Sequence, residues 1–210
     1  SDVYRGWLGE IRAEDAASLY LHIPYCRQLC WYCGCNTRAT QSYQPVFEYV
    51  KRLLQEIALV ETALTHKPMV HRLHWGGGTP TILTGDDVLA VMKNLRGVFD
   101  FSDTAEIAIE IDPRTLTESK TDIPAEAGVT RASLGVQEFS EDVQNAINRR
   151  QSYEKVAQTV GMLRKAGINA LSFALMSGLP RQTEADVARS AELAVELGPN
   201  RIAVFGYAHV

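Results

Sequence analysis

Short apolar runs alternate with longer segments of helical periodicity along the whole chain, and this alternation limits the possible folds most. The runs are SLYLHI from Ser18, RLHWGG from Arg72, AEIAIEID from Ala105, RASLGV from Arg131, ALSFALMSG from Ala170 and RIAVFGY from Arg201. Several are almost continuously apolar, the pattern expected of strands covered on both faces. Between them lie FEYVKRLLQEIALVETAL, DDVLAVMKNLRGVF, YEKVAQTVGMLRKAG and EADVARSAELAVELG, which read as helices. The last two end on Gly167 and Gly198, residues suited to helix C-termini. Strand–helix repetition predicts right-handed βαβ units and an α/β fold with a parallel sheet. A chain of 210 residues with six such strands fits an open, partial (β/α)6 barrel better than the longer eight-unit barrel. A doubly wound sheet is the alternative. No low-complexity linker divides the chain. Residues 1–17, with Trp7 and Leu8, read as an N-terminal arm, and 18–210 as one domain.

In a parallel architecture, ligands gather at the C-terminal ends of the strands. There the sequence places the run CRQLCWYCGC, then WGGGTPT, Glu110 with Asp112, Gln137, SGLP and finally GYAHV. All four cysteines fall between Cys26 and Cys35, spaced C-x3-C-x2-C-x-C. Composition helps to interpret them. A net charge of −4 with scattered cations gives no sign of a nucleic-acid footprint. No apolar run is long enough to span a membrane, and no secretory leader is recognisable, so a cytoplasmic setting is expected. In that reducing compartment, clustered thiols point to metal or redox chemistry rather than disulfides. A zinc knot normally joins two cysteine pairs across a loop, and closing a tetrahedron with Cys33 and Cys35 flanking only Gly34 would be strained. An iron–sulfur cluster is the better fit. A [4Fe–4S] cube normally takes four thiolates; with only three, one iron keeps an open position for a small molecule.

The CxxxCxxC pattern after the first strand resembles the signature of the radical S-adenosylmethionine (radical SAM) enzymes. The resemblance extends to LYLHIPYCRQLCWYCGCN, HWGGGTPT, IEIDPR, SLGVQEF, INRRQ, GLPRQT and FGYAHV, all similar to blocks of the oxygen-independent coproporphyrinogen III oxidase (dehydrogenase) family. It implies that Cys26, Cys30 and Cys33 hold a [4Fe–4S] cluster whose unique iron is chelated by S-adenosylmethionine. It further implies reductive formation of a 5′-deoxyadenosyl radical, and decarboxylation of the propionates of a tetrapyrrole to vinyl groups during haem synthesis. An electron donor and an electron acceptor would be partners. The related haem chaperones share most of these blocks but usually lack a cysteine at the position of Cys35. Such a haem-binding, non-enzymatic protein is the competing reading.

The same resemblance assigns cofactor contacts to Tyr20, Tyr32, Gly77, Gly78, Thr79, Glu110, Gln137, Arg149 and the backbone of Ala208. The residue types suit this. A tyrosine ring offers a face to adenine, glycines permit close backbone approach, and Glu110 can accept hydrogen bonds from ribose hydroxyls. Bland alternatives stand beside them: core or loop packing for Tyr20 and Tyr32, a solvated carboxylate for Glu110, a helix-end cation for Arg149. Two features depart from the family. Ala174 stands where an aspartate ordinarily contacts a second S-adenosylmethionine, so one cofactor molecule is expected and the second is in doubt. The sequence also ends before the family's C-terminal substrate-covering domain.

Overall fold

The computed structural model describes residues 2–208. His209 and Val210, which complete the GYAHV block, lie outside the described residues. The strands are β1 (Ala16–Ile23), β2 (Tyr25–Cys26), β3 (Arg38–Ala39), β4 (Met69–Gly77), β5 (Asp100–Ile111), β6 (Arg131–Gln137), β7 (Ala170–Ser177) and β8 (Arg201–Gly206). The helices are α1 (Asp2–Gly9), α2 (Gln44–Ala63), α3 (Gly85–Val98), α4 (Asp122–Glu126), α5 (Glu141–Ala146), α6 (Tyr153–Lys165) and α7 (Glu184–Glu196). The six strands expected from the sequence are all present, most of them a few residues longer or shorter. The short helices α1, α4 and α5 were not expected.

The main sheet is wholly parallel, in the order β1-β4-β5-β6-β7-β8. Each strand pairs with the next one in the chain, so the order never reverses. Crossovers of a single hand then put the helices that connect these strands on the same face. This excludes the doubly wound alternative, whose order reverses at a switch point. The result is a partial barrel with an outer helical layer and an open inner face.

Period-two alternation decides what each face carries. In β6, Ala132, Leu134 and Val136 are buried, while Arg131, Ser133, Gly135 and Gln137 are partly exposed on the other side. Leu21, Ile23, Leu73, Trp75, Ile107, Ile109, Ile111, Leu171, Phe173 and Leu175 extend the buried face across the sheet. The helices meet it with stripes at spacings of three and four: Val46, Val50, Leu53 and Ile57 in α2, and Val88, Val91, Met92, Leu95 and Val98 in α3. Burying each large side chain contributes about 1.5–3 kcal/mol before entropic costs. The expectation of strands covered on both faces therefore fails. Helices cover one side only, and the inner side is small or polar. The last strand is barer still, with Val204 and Phe205 more than half exposed.

Helix ends follow local chemistry. Thr84, Ser152 and Thr183 accept hydrogen bonds from the backbone N–H groups of Asp87, Lys155 and Asp186, capping α3, α6 and α7. Gly167 and Gly198 adopt positive φ just beyond α6 and α7, as expected from their position. Helix α1 buries no residue and Trp7 is exposed. The arm is tied down by Thr65, whose hydroxyl donates to the Gly9 carbonyl at 3.0 Å.

Candidate functional site

A cavity of about 530 Å³ opens on the inner face at the C-terminal ends of the strands. Its wall includes Cys26, Cys30, Cys33 and Cys35, then Gly77, Gly78 and Thr79, then Glu110, Asp112 and Arg114. Gly135, Gln137 and Arg149 follow, with Ala174, Met176 and Phe205 on the far side. Residues from positions 26 to 205 thus face one space.

The cysteine run leaves β1 as a loop closed at its base. The paired strands β2 and β3 join Tyr25 and Cys26 to Arg38 and Ala39. The Arg38 N–H donates to the Pro24 carbonyl, and the Thr40 N–H to that of Cys26, each at 2.9 Å. The far side of the loop is held by the segment after α5. Trp31 N–H donates to the Ile147 carbonyl at 3.0 Å. Asn148 Nδ2 donates to the Leu29 carbonyl at 2.9 Å, and Gln28 Nε2 donates to Asn148 Oδ1 at 2.7 Å. Asn148 takes φ of 55°, a conformation asparagine tolerates better than most residues.

Two of the thiols are surrounded by donors. Thr79 Oγ1 and Thr37 Oγ1 lie 3.3 and 3.6 Å from Cys26 Sγ. Arg149 Nη1 and Arg114 Nη2 lie 3.4 and 3.5 Å from Cys30 Sγ. The two guanidiniums share Asp112, at 2.7 Å from Arg114 Nη2 and 3.4 Å from Arg149 Nη2. Burial alone would raise the Asp112 carboxyl, but Arg149 and Arg114 outweigh it and hold it below the usual range. Arg149 is buried, and burial opposes its charge, yet Asp112, Tyr32 and Cys30 keep its affinity for a proton above the usual value. Cys33 and Cys35 instead hydrogen-bond one another, which draws Cys33 down to about 6 and pushes Cys35 up. Donors of this kind stabilise thiolates, the form that binds iron. Among the described residues no three His, Cys, Asp or Glu side chains converge as ligands of a single metal ion.

Opposite the loop, the glycine run brings backbone against ligand space. Gly77 takes φ of 111°, and a Cβ on Gly78 would sit 2.4 Å from Thr37 Oγ1, so a side chain there would displace the cysteine loop. Glu110, on the inner face opposite in parity to Ile109 and Ile111, is fixed by His74 Nε2 at 3.1 Å and by the Gly77 N–H at 3.2 Å. Gln137 ends β6 at a positive φ of 68°, a strained conformation for its residue type, directly on the cavity wall.

The structure brings together Tyr32, Gly77, Gly78, Thr79, Glu110, Gln137 and Arg149 with the cysteines. Tyr32 also packs on the small cluster of Val143, Ile147 and Leu179, so it anchors the loop as well. Tyr20 is outside the cavity wall. It stacks on His74, 5.8 Å between centroids, and its hydroxyl lies 3.1 Å from His22 Nδ1, beside Gly76 and Glu110. Ala208 is exposed beyond β8 and does not line the cavity. Sequence reasoning missed Arg114, Thr37, His74 and Asn148. Arg114 had a legible signal, since DPR follows β5 immediately; the others are recognisable only through their contacts.

Comparison with known proteins agrees with this geometry. Residues 20–194 match the family model described as the radical SAM superfamily. The chain belongs to the radical SAM superfamily. It is 43% identical to an oxygen-independent coproporphyrinogen III oxidase of Paracoccus denitrificans (strain Pd 1222), over 99% of this chain and 46% of that protein. It is 47% identical to the protein of the same name from Bradyrhizobium diazoefficiens, again over 99% of this chain and 46% of the relative. Among solved structures, the coproporphyrinogen III oxidase HemN of Escherichia coli, described as a radical SAM enzyme, superposes with a TM-score of 0.92. The identity is 36%, covering 100% of this chain and 48% of the other. The chain therefore spans about half the length of the relatives it matches. No helix among the described residues is long and apolar enough to cross a membrane.

Proposed function

We propose that this chain is the radical-generating part of an oxygen-independent coproporphyrinogen III dehydrogenase, acting on the propionate side chains of a tetrapyrrole. The observation that carries this reading is the convergence of the cysteine loop, the glycine run, Glu110, Gln137 and Arg149 on one cavity, in a chain with 43–47% identity to proteins of that name. The residues fit a cluster and S-adenosylmethionine: thiols with charged donors, Gly77 and Gly78 on the cavity wall, and Arg149 Nε buried without a protein acceptor. Cys26, Cys30 and Cys33 would hold a [4Fe–4S] cluster. Bound there, the cluster and S-adenosylmethionine would supply a carbon-centred radical able to take a hydrogen atom from substrate.

The chain's own residues position and protect that chemistry. Arg114 and Arg149, balanced by Asp112, stabilise negative charge on Cys30, and Thr79 and Thr37 do so on Cys26. Glu110, held by His74 and Gly77, presents an acceptor to ribose hydroxyls. Tyr32 offers a ring face to the adenine, Gly77 and Gly78 admit the methionyl group, and Gln137 adds a polar contact. Tyr20 would act from behind Gly76 by packing beside Glu110, and Ala208 would contribute only backbone. Ala174 lines the cavity without an acceptor, so a second S-adenosylmethionine lacks the contact an aspartate would make. On the substrate, loss of a propionate β-hydrogen, transfer of one electron to an acceptor and departure of CO2 would leave a vinyl group. An electron donor is the other partner the reaction requires.

Anaerobic reconstitution with iron and sulfide, followed by reduction with S-adenosylmethionine present, tests this reading. The expected result is a brown protein carrying about four irons that forms 5′-deoxyadenosine. Haem binding with no bound S-adenosylmethionine would instead favour the chaperone reading.

A further inference from the structure

A second cavity, of about 220 Å³, lies outside the cysteine-lined one and is lined by Arg27, Thr79, Thr81, Ile82, Thr115 and Lys120. Thr79 borders both spaces. Four separate segments build it: the cysteine loop, the turn Pro80–Ile82 after β4, the chain after β5 and the turn Glu118–Lys120. Its lining holds two cations, three hydroxyls and no carboxylate, in a chain whose net charge is −4. Arg27 donates to the Thr40 carbonyl at 3.3 Å and Lys120 to the Thr81 carbonyl at 3.1 Å, and among the described residues neither forms an ion pair. Thr81 is 7% exposed and its hydroxyl is buried without any partner.

Two unneutralised cations beside one partly enclosed space repel each other, and a buried hydroxyl without a partner costs free energy. Burial, and then Arg27, both lower the proton affinity of Lys120, as expected where a counter-anion is missing from the protein itself. One small oxyanion would pair both cations through charge-assisted bonds. The space is well above the ~10–15 Å³ that one water molecule needs by the same measure, and below the ~300 Å³ at which small-molecule pockets begin. That suits a phosphate or a single carboxylate with a few waters, and not a whole tetrapyrrole.

We propose that this cavity is an oxyanion site, taking one phosphate or carboxylate group between Arg27 and Lys120. It shares the Thr79 wall with the cysteine-lined cavity, and it stands whether or not the tetrapyrrole reading holds. The test is calorimetric titration of the 210-residue chain with inorganic phosphate and, separately, with propionate at constant ionic strength. Saturable binding of one equivalent is expected, weakened about tenfold by Lys120→Gln and by Arg27→Gln, each removing one charge-assisted bond. Lys120→Arg should retain binding. Preference for phosphate would identify a phosphoryl ligand, and preference for propionate a carboxylate ligand. Absence of saturable binding of both anions to the unmodified chain would overturn the proposal, as would unchanged affinity in both glutamine variants.

Discussion

The two faces of the main sheet are built from the same strands, yet they do opposite work. In β6, Leu134 and Ser133 are chain neighbours; one is fully buried under the helices and the other lines the cavity. The outer face is held by shape and volume, with apolar side chains packed into one continuous core. The inner face is held by directed polar contacts, such as Asp112 between two arginines and Glu110 between His74 and Gly77. A strand stabilised from one side can leave its other side free for chemistry.

The largest expected effect falls on the inner face. Cys26→Ala, Cys30→Ala or Cys33→Ala should abolish cluster assembly, because each removes an anionic ligand of iron. Cys35→Ala should keep its full iron content. Iron and sulfide analysis after reconstitution checks this, and equal iron loss in the Cys35 variant would overturn the three-ligand assignment.

On the outer face, Leu134→Ala should cost about 2–5 kcal/mol of stability through the cavity it leaves, measured by denaturant unfolding. Binding of S-adenosylmethionine under native conditions should change little. A larger loss of affinity than of stability would show that the two faces are not energetically separate.

Glu110→Ala is the converse. It should weaken S-adenosylmethionine about ten- to a hundred-fold, the range for losing a hydrogen bond to a charged group of roughly 1.5–3 kcal/mol. The cluster should survive, and thermal stability should shift only slightly. Unchanged affinity would return Glu110 to a purely structural bond with Gly77.

The smallest effect concerns acid. Asp112 has its folded-state pKa depressed, so the stability it contributes is present above its unfolded value, about 4, and is lost as pH falls through the lower folded value. Asp112→Asn should flatten that acid limb of the stability profile while lowering stability at neutral pH. A mutant profile parallel to the original below pH 4 would assign the acid sensitivity to other carboxylates.

Much of this was legible in the residues. Spacing located the strands and long helices because alternation at two and recurrence at three and four are local consequences of backbone geometry. The cysteine loop, glycine run, Glu110 and Gln137 were legible because each falls at a strand end, and Arg149 only through the family resemblance of its INRRQ block. Helices α4 and α5 were not, since five and six residues carry too little periodicity. Nor was the absence of Tyr20 from the cavity wall, because its direction depends on stacking against His74 from another strand.

By itself, then, the sequence determined the strand–helix alternation, the helix ends at Gly167 and Gly198, and the clustering of thiols after the first strand. These depend on interactions within a few residues. The tertiary structure alone decided that the strand order never reverses, that Arg114 and Arg149 meet at Cys30, and that Asn148 braces the cysteine loop across 119 residues of chain. Such contacts arise only when parallel pairing brings distant segments to one end of the sheet. Local spacing encodes no partner at that range, since the free energy that selects it comes from burying the shared core.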